Sequence, residues 1–543
     1  MVEEYSTVTG VTKRGRIGWT YHLMTVIDWR TLWHFLDYSG DQFAQVQSNS
    51  LNVQFSEMSK NPVMPALSAG STDFTSIDDF RSRVRLSTWE DYADHLNPNT
   101  STTAETWAYT QFGAGNAKWA PFTRSALDHL ADSVVASIGL AASSDGKSAN
   151  INYGDRALFN IPPRPYLAGH VGFEVVQKYG FKPLIPLEPG EDMEFKQRIS
   201  EGFASALNDR VDILISMTSV LKRVAERFDP ASVRTGGSSG LLKSVNAKGA
   251  FRLAGAKIKS TFTNHTMKPR DLWEPKSIVG WGLDTRFYSD QIADAWGRPP
   301  YEVYASTEIG VMGVQFRDQG GLALNPHTCF YEFIPESELE TERTDSNYQP
   351  RTCLLDEIEP GKSYEVVATS FFGMPFTRYR LGHIVQFSRA HVGFGNEFLF
   401  VGRADERIDI GGFTRVDEST VWRAISKAEL PIRDWTLRRE IEGIVPELHM
   451  YLELSNPYDE GQLIPTLHRS LKDCDPLYSD LETMLGICPL KITVLSAGTF
   501  DTFTDMKLKQ GASLVASRPP RMNPNDETIG RLMALDRALT LAA

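Results

Sequence analysis

Hydrophobic and polar positions alternate in two different periods between Ala141 and Phe228. Short apolar runs typical of buried strands lie at Arg156–Ile161 and Val211–Ser216. Stretches with the 3.6-residue spacing of amphipathic helices lie at Ile199–Leu207 and Val220–Phe228. Strands that alternate with helices are typical of α/β domains, so the pattern predicts an α/β architecture with a mainly parallel sheet.

A second group of short strands, rich in aromatic and β-branched residues, lies near residue 400. It comprises Ile384–Phe387, Glu397–Val401 and Ile408–Ile410. A charged turn, Gly402–Arg407, separates the last two strands. We therefore expect a hinge here, between a large multi-layer domain at residues 1–401 and a small mobile α+β domain at residues 402–543.

Other segments fill in this outline. The predicted small domain contains two strand patterns, Glu447–Leu454 and Leu490–Leu495, and a final helix, Glu527–Thr540. Near the start of the chain, Trp29–Asp37 has a helical pattern, whereas Gln45–Ser59 is an ill-defined polar stretch. The sequence thus defines the second half of the chain better than the first.

Composition limits the possible partners. The 543 residues are 41% hydrophobic and 23% charged, and no apolar run approaches the roughly 18 residues that span a bilayer. The formal charge of −12 argues against a nucleic-acid or anionic-membrane surface, since those partners need clustered Lys and Arg. The first residues lack an apolar secretory segment. We expect a cytoplasmic protein with small-molecule partners, and the oligomeric state stays open.

The segment Thr106–Thr123 has the composition of a phosphate-binding loop. Gly113 and Gly115 allow backbone amides to approach phosphate oxygens, and Lys118 adds a point charge. A predicted helix, Ser125–Ile138, would begin with its positive end nearby. The Gly-Lys-Ser/Thr ending of a Walker A motif is absent. By itself the segment also fits an ordinary turn.

The run Tyr301–Glu308 reads as a strand that ends in hydroxyls and a carboxylate. The Tyr304 ring could stack on a purine, Ser306 and Thr307 could bond phosphate, and Glu308 could bind Mg²⁺, which prefers oxygen ligands. A helix cap by Ser306 would explain the hydroxyl but not the whole set. A different pattern, Gly236–Gly240, fits a hydrolase nucleophile elbow, but no strong strand precedes it, so we expect a loop there.

Several of these elements resemble motifs of the adenylate-forming superfamily. They are the loop Thr110–Lys118, the strand end Tyr304–Glu308, the segment Tyr379–His383 and the turn Gly402–Asp405. The strand Phe330–Pro335 and the lead-in that begins at Phe80 are similar to those of the plant auxin-conjugating amido synthetases, and the lead-in also resembles that of phenylacetate-CoA ligases. The resemblance covers roughly residues 75–525.

The resemblance implies a reaction and a set of site residues. A carboxylate would attack the α-phosphate of MgATP, release pyrophosphate and leave an acyl-AMP that an amine then intercepts. Glu308 would bind the metal, Asp405 would act as the hinge, and Lys118 would stabilise charge on the phosphates. Nucleotide binding would fall to Thr110, Gly113, Gly115, Gly255, Tyr304, Ser306, Thr307, His383 and Arg403. Gly255 belongs to a small-residue segment that would pack under the adenine.

The chain departs from the family pattern in three places. His383 replaces the ribose-binding Asp, Arg518 replaces the catalytic lysine, and the loop hydroxyls are lost. Lys507 and Lys509 lie just upstream of Arg518 and are alternative cations. An imidazole loses its acceptor when protonated, so ATP affinity should weaken as the pH falls through about 6.5.

Three alternatives to amide formation stay open, and the departures bear on the second of them. CoA ligation is the first of them. A degenerate ATP-binding homologue is the second, and activation of a non-carboxylate acid such as an inorganic oxyanion is the third.

Overall fold

The computed structural model describes residues 27–542 except 100–103, 111–117, 192, 194, 227, 229–244, 263–264, 283–284, 316–320, 346, 389–396, 405–406, 411–413, 443–444, 477, 480–487, 511 and 513–516. Four predicted features lie outside the described residues: Gly113, Gly115, the hinge residue Asp405 and the loop Gly236–Gly240. The backbone of Thr110 is described, but its side chain is not.

The strands form one large sheet and three smaller ones. They are β1 Thr106–Thr110, β2 Lys118–Phe122, β3 Arg156–Asn160, β4 Lys182–Pro183, β5 Ile213–Met217, β6 Ser277–Trp281, β7 Tyr301–Ser306, β8 Gly310–Gln315, β9 Leu322–Leu324, β10 Cys329–Pro335, β11 Ser363–Ser370, β12 Tyr379–Phe387, β13 Glu397–Arg403, β14 Ile408–Ile410, β15 Thr414–Val416, β16 Ile432–Glu442, β17 Val445–Leu454 and β18 Leu490–Leu495.

The helices cover the sheets and fill the N-terminal region. They are α1 Trp29–Trp33, α2 Gly40–Met58, α3 Met64–Leu67, α4 Ile77–Arg83, α5 Trp89–Tyr92, α6 Arg124–Ala142, α7 Leu167–Tyr179, α8 Leu187–Glu191, α9 Phe195–Asp209, α10 Thr218–Glu226, α11 Ala247–Phe262, α12 Thr285–Trp296, α13 Glu336–Thr344, α14 Glu418–Lys427, α15 Glu460–Cys474, α16 Thr499–Lys509 and α17 Asp526–Ala542. In the described part of the chain, no helix has the length and apolarity needed to cross a membrane.

The large sheet confirms the α/β class but is only half parallel. Its order is β10-β11-β12-β13-β9-β8-β7-β6-β5-β3-β4, with 11 strands in the described residues. The strands from β7 to β4 pair in parallel, whereas every pair from β10 to β7 is antiparallel. The prediction of a mainly parallel sheet is therefore wrong for the second half, because that half is built from hairpin-like neighbours without crossover helices.

The predicted domain boundary falls inside a strand. β13 continues two residues past Val401, because Gly402 and Arg403 pair with Ile384 and His383 of β12. The sheet of the large domain therefore extends through Arg403. Beyond it, β16, β17 and β18 form a separate sheet that α15 covers. The small domain is thus mixed α+β, as predicted.

Aromatic contacts join the two domains. Trp422 of α14 stacks on Phe287 of α12, with ring centroids 5.6 Å apart, and meets the edge of Tyr288 at 5.2 Å. Lys222 of α10 donates to the carbonyl of Arg433 at 3.3 Å. The small domain therefore rests on α10 and α12 in this conformation.

Helix α2 occupies most of the stretch that the sequence left undefined. Ser39 and Gln42 form a capping box at its start, and its buried face includes Gln47 and Gln54 among apolar residues. Gln47 donates to the carbonyls of Pro326 and Cys329, at 2.6 and 2.8 Å, and accepts from the amide of Tyr331. Buried glutamines hide the apolar period of this helix, since they are polar in sequence but occupy core positions.

Candidate functional site

The carboxyl end of β7 meets β12 and β13 at one place. The Tyr304 hydroxyl and His383 Nδ1 are hydrogen-bonded at 2.9 Å. Burial raises the pKa of Tyr304 well above its ordinary value. Burial, followed by the positive charge of Arg403, lowers the pKa of His383 to about 3. His383 is therefore neutral at physiological pH, and its affinity for a ribose would not change near pH 6.5, contrary to the expectation from sequence.

The local backbone explains why the motif has this form. Gly382 has φ of +67°, a left-handed conformation that a glycine adopts without steric cost. It directly precedes His383, which lies opposite Arg403 in the β12–β13 register. Tyr304 is 4% exposed and contacts the rings of Phe398 and Phe400. The stacking of Tyr304 on a purine stays a prediction, and it requires this ring to be uncovered.

Glu308 lies in the turn that follows β7. The residue is 8% exposed, and its carboxylate accepts a hydrogen bond from the Tyr379 hydroxyl at 3.2 Å. Ser306 Oγ accepts from the Ile309 amide at 3.2 Å, so its hydroxyl caps the β7–β8 turn and not a helix, as the alternative from sequence had it. Tyr379 was not among the predicted site residues, although it lies within the Tyr379–His383 motif.

A metal at Glu308 would have few protein ligands. Among the described residues, no three His, Cys, Asp or Glu side chains are grouped to hold an ion. Mg²⁺ is commonly held by one or two carboxylates, with phosphate oxygens and water completing its octahedron. A single carboxylate with hydrogen-bond capacity to spare fits that mode of binding.

Lys118 lies at the start of β2, near α5. Its Nζ is 5.3 Å from the ring centroid of Trp89. Hydrogen bonds from Thr88 and from the Glu90 backbone amide, and the charge of Lys118, lower the pKa of Glu90. The charges of Glu308 and Glu90 both contribute to the raised pKa of Tyr379, after its burial. Glu90 therefore lies within electrostatic range of both Lys118 and Tyr379.

Arg380 of the Tyr379–His383 motif and Arg378, which directly precedes the motif, are held by carboxylates. Arg378 Nη2 pairs with Glu332 at 2.8 Å, where the two side chains are 8% and 1% exposed. Arg380 pairs with Glu342 at 2.6 Å and with Glu365 at 2.7 Å. These arginines hold β12 to its neighbours.

The segment that contains Gly255 is different from the prediction. We expected a small-residue turn in close contact with a ligand, but Arg252–Lys257 lies inside α11 and Gly255 is exposed. A Cβ built on Gly255 would meet no atom within 4 Å. The prediction of close backbone approach is wrong, because the run of small residues forms a regular helix.

The three candidate cations of the small domain lie in different surroundings. Burial raises the pKa of Asp434, but the charges of Arg521, Arg518 and Lys222 outweigh it and lower that pKa. Arg518 thus lies beside Asp434, on the side of the small domain that faces α10. Lys507 and Lys509 lie in the last turn of α16, where the Lys507 ammonium is 5.8 Å from the ring of Phe503.

A cleft of about 1230 Å³ opens elsewhere, between the N-terminal helices and α6. Its lining includes His129, His327 and Phe372, and none of the predicted site residues. Pro121 and Thr123 place it at the base of the β1–β2 hairpin, whereas residues 111–117 join the opposite ends of those strands. The cleft is therefore distinct from the predicted nucleotide site.

Family models and curated relatives are similar to parts of this chain. Residues 322–403 match the GH3 family central domain, and residues 418–527 match the GH3 family C-terminal domain. The chain is 26% identical over 240 residues to indole-3-acetic acid-amido synthetase GH3.3 of Arabidopsis thaliana, covering 40% of this chain and 38% of that one. It is 27% identical over 237 residues to jasmonoyl–L-amino acid synthetase GH3.5 of Oryza sativa subsp. japonica, covering 41% and 40%. The matches thus span about two fifths of these relatives.

Solved structures are similar over nearly the whole chain. The GH3.15 acyl acid amido synthetase superposes with a TM-score of 0.66 and 18% identity, covering 95% of this chain and 97% of that one. The 2-hydroxyisobutyryl-CoA ligase in its postadenylation state superposes with a TM-score of 0.54 and 13% identity, covering 92% and 91%. At these identities the likeness concerns the fold.

Proposed function

We propose that this chain, which has the adenylate-forming fold, activates a carboxylic acid with ATP as an acyl-AMP and transfers the acyl group to an amino acid. The GH3-family matches in its second half favour an amine acceptor, because the relatives with those domains are named amido synthetases. The single observation that supports the proposal best is a cluster of side chains at the carboxyl end of β7. Its members are Tyr304, Glu308, Tyr379, His383 and Arg403.

The protein's own residues suit adenylation electrostatically. Charge builds on the phosphate oxygens as the carboxylate attacks the α-phosphorus and pyrophosphate leaves. Lys118 would offset that charge from β2. Arg518, brought over by the small domain as it moves about the Gly402–Asp405 link, would supply a second cation. An arginine is always protonated and can hold two phosphate oxygens, so it can replace a lysine here.

Bound Mg²⁺ would supply Lewis-acid stabilisation of the phosphate oxygens. Glu308 would hold it through the carboxylate oxygen lone pairs that Tyr379 leaves unused. The hydrogen bond from Tyr379 would orient the carboxylate. Thr307, in the same turn, would contact phosphate.

His383 would bind the ribose through its second ring nitrogen. Nδ1 is hydrogen-bonded to Tyr304, while Nε2 has no hydrogen-bond partner among the described residues. A neutral imidazole can bond one hydroxyl through Nε2, as donor or acceptor depending on the tautomer. The site therefore offers one ribose bond where a carboxylate would offer two.

An exchange assay tests the proposal. The purified chain is incubated with ATP, Mg²⁺ and labelled pyrophosphate across a panel of aryl, indolyl and aliphatic carboxylic acids, and hydroxylamine traps the adenylate. Acid-dependent exchange and hydroxamate are expected for at least one acid. If ATP binds but no acid in the panel gives exchange or hydroxamate, the chain is a degenerate ATP-binding homologue.

CoA ligation is the second candidate. The observation that favours it is the superposition on the 2-hydroxyisobutyryl-CoA ligase over 92% of the chain. With an active acid in hand, amino acids and CoA are supplied in parallel. Formation of an amide with no thioester supports the first proposal, and the reverse result supports the second.

A further inference from the structure

Helix α11 exposes three of its four large apolar residues and buries its small ones; the fourth, Leu253, is partly buried against the core. Phe251, Ile258 and Phe262 are 81%, 57% and 86% exposed. The buried positions of the helix are small: Gly249, Ala256 and Ser260. This is the reverse of an ordinary surface helix, whose apolar stripe faces the core. The most apolar face of α11 therefore points to solvent.

The exposed residues form one continuous stripe. Phe251, Gly255, Ile258 and Phe262 follow the i, i+4, i+7, i+11 spacing of a single helix face. At a rise of about 1.5 Å per residue, the two phenylalanines are about 16 Å apart along the axis. The opposite face is fixed to the protein, since a Cβ on Gly249 would lie only 2.4 Å from Asn208 Oδ1 of α9. The stripe cannot turn inward without breaking that contact.

The charge on α11 is entirely positive. The helix contains Lys248, Arg252, Lys257 and Lys259 and no acidic residue. Arg252 donates to the carbonyls of Leu207 and Asn208 on α9, so its guanidinium is held against the protein. By helical position, Lys248 and Lys259 flank the stripe on one side and Lys257 flanks it on the other. The net charge of −12 for the whole chain does not describe this surface.

We propose that α11 docks this protein on an anionic lipid bilayer, with Phe251, Ile258 and Phe262 inserted among the head groups and the lysines at their level. A solvent-facing apolar stripe between cations is the pattern of helices that lie in a membrane interface. A second copy of the chain is a poorer occupant, because two such helices would bring like charges together. Docking is peripheral, and it is independent of the proposed catalytic function.

Vesicle sedimentation tests this proposal on the full chain. The probes are vesicles of phosphatidylcholine alone and of phosphatidylcholine with phosphatidylserine. The wild type should sediment with the anionic vesicles, and added salt should weaken binding. The double variant Phe251→Ser, Phe262→Ser should lose at least about tenfold in partitioning. Lys257→Gln should lose about fivefold.

A matched control separates insertion of the α11 stripe from nonspecific adsorption through any exposed apolar residue. Leu541 on α17 is 89% exposed, and Leu541→Ser should bind vesicles like the wild type. All variants should keep the wild-type unfolding midpoint, because the changed residues are exposed. The proposal is wrong if the wild type ignores both kinds of vesicle, or if the double variant still binds. It is also wrong if the wild type self-associates in sedimentation velocity and the double variant does not, since the face is then a contact between copies.

Discussion

Strand β12 and Arg378, which directly precedes it, carry two sets of polar side chains that differ in how completely the protein satisfies them. Arg378 and Arg380 are paired with carboxylates from neighbouring elements. Among the described residues, the side chains of Tyr379 and His383 each make one hydrogen bond, to Glu308 and Tyr304 respectively, and keep further capacity. Residues of one short motif thus divide into a set that holds the strand and a set that faces the candidate site.

This difference separates the residues that stabilise the fold from those that are available to bind a ligand. A charge that is buried with its partner leaves nothing for a ligand, and removing the partner leaves an unpaired buried charge. Changing a side chain that keeps an unused donor or acceptor costs the folded protein little stability. Substitutions in the first set should therefore act on folding, and those in the second on turnover.

The largest effect is expected at Glu332. Its carboxylate, 1% exposed, holds Arg378 and also accepts from Arg81 and Thr352. Glu332→Ala should lower the free energy of unfolding by about 3–5 kcal/mol, measured by urea denaturation. As a control, Glu57→Ala removes an exposed pair with Lys60 and should cost less than about 1 kcal/mol. Similar losses in both variants would remove the special role of the buried pair.

Arg518 should matter for one half-reaction. Arg518→Ala is expected to slow adenylate formation by about 10²–10³, the usual cost of losing one group that stabilises transition-state charge. Consumption of a supplied acyl-adenylate should stay near the wild-type rate, because the phosphate charge is then already formed. Pyrophosphate release and adenylate decay measure the two halves separately. If Lys507→Ala or Lys509→Ala abolishes the first half instead, the cation is one of those lysines.

Tyr379→Phe should have a smaller effect. The variant removes one hydrogen bond, 3.2 Å long, to the Glu308 carboxylate and keeps the ring. We expect a loss of about 1 kcal/mol in transition-state binding, about fivefold in kcat/KM for ATP. The unfolding midpoint should barely move. An unchanged kcat/KM would show that Glu308 needs no orienting partner.

For His383 we expect an ATP affinity that varies little with pH. Because its pKa is lowered to about 3, ATP affinity should vary less than about twofold between pH 8 and pH 5, where an ordinary histidine titrates near 6.5. Stability should respond instead. The unfolded chain takes up this proton first, so the free energy of unfolding falls as the pH drops from about 6.5 toward 3, and is restored above 6.5. A drop in ATP affinity through pH 6.5 would mean that the pKa of His383 is not lowered in the folded protein.

The sequence predicted the positions of helices and strands better than it predicted which residues contact one another. Strand Leu490–Leu495 has the predicted bounds, and α6 and β10 differ from prediction by a few residues, because local periodicity defines them. The pairing of Arg378 with Glu332 was not predictable, since the two lie 46 positions apart and neither has a local signal. Helix α2 was missed because Gln47 and Gln54 occupy core positions. Gly255 was misplaced because small residues fit a turn and a helix equally well.

Glu308→Gln tests the central claim most directly, because it changes charge at the candidate site while keeping shape. The account predicts that acid-dependent pyrophosphate release per folded molecule falls at least about 100-fold. The free energy of unfolding in urea should change by less than about 1.5 kcal/mol, since the amide oxygen still accepts from Tyr379. A fall in stability that accounts for the whole loss of activity, or full activity with the charge removed, would contradict the account.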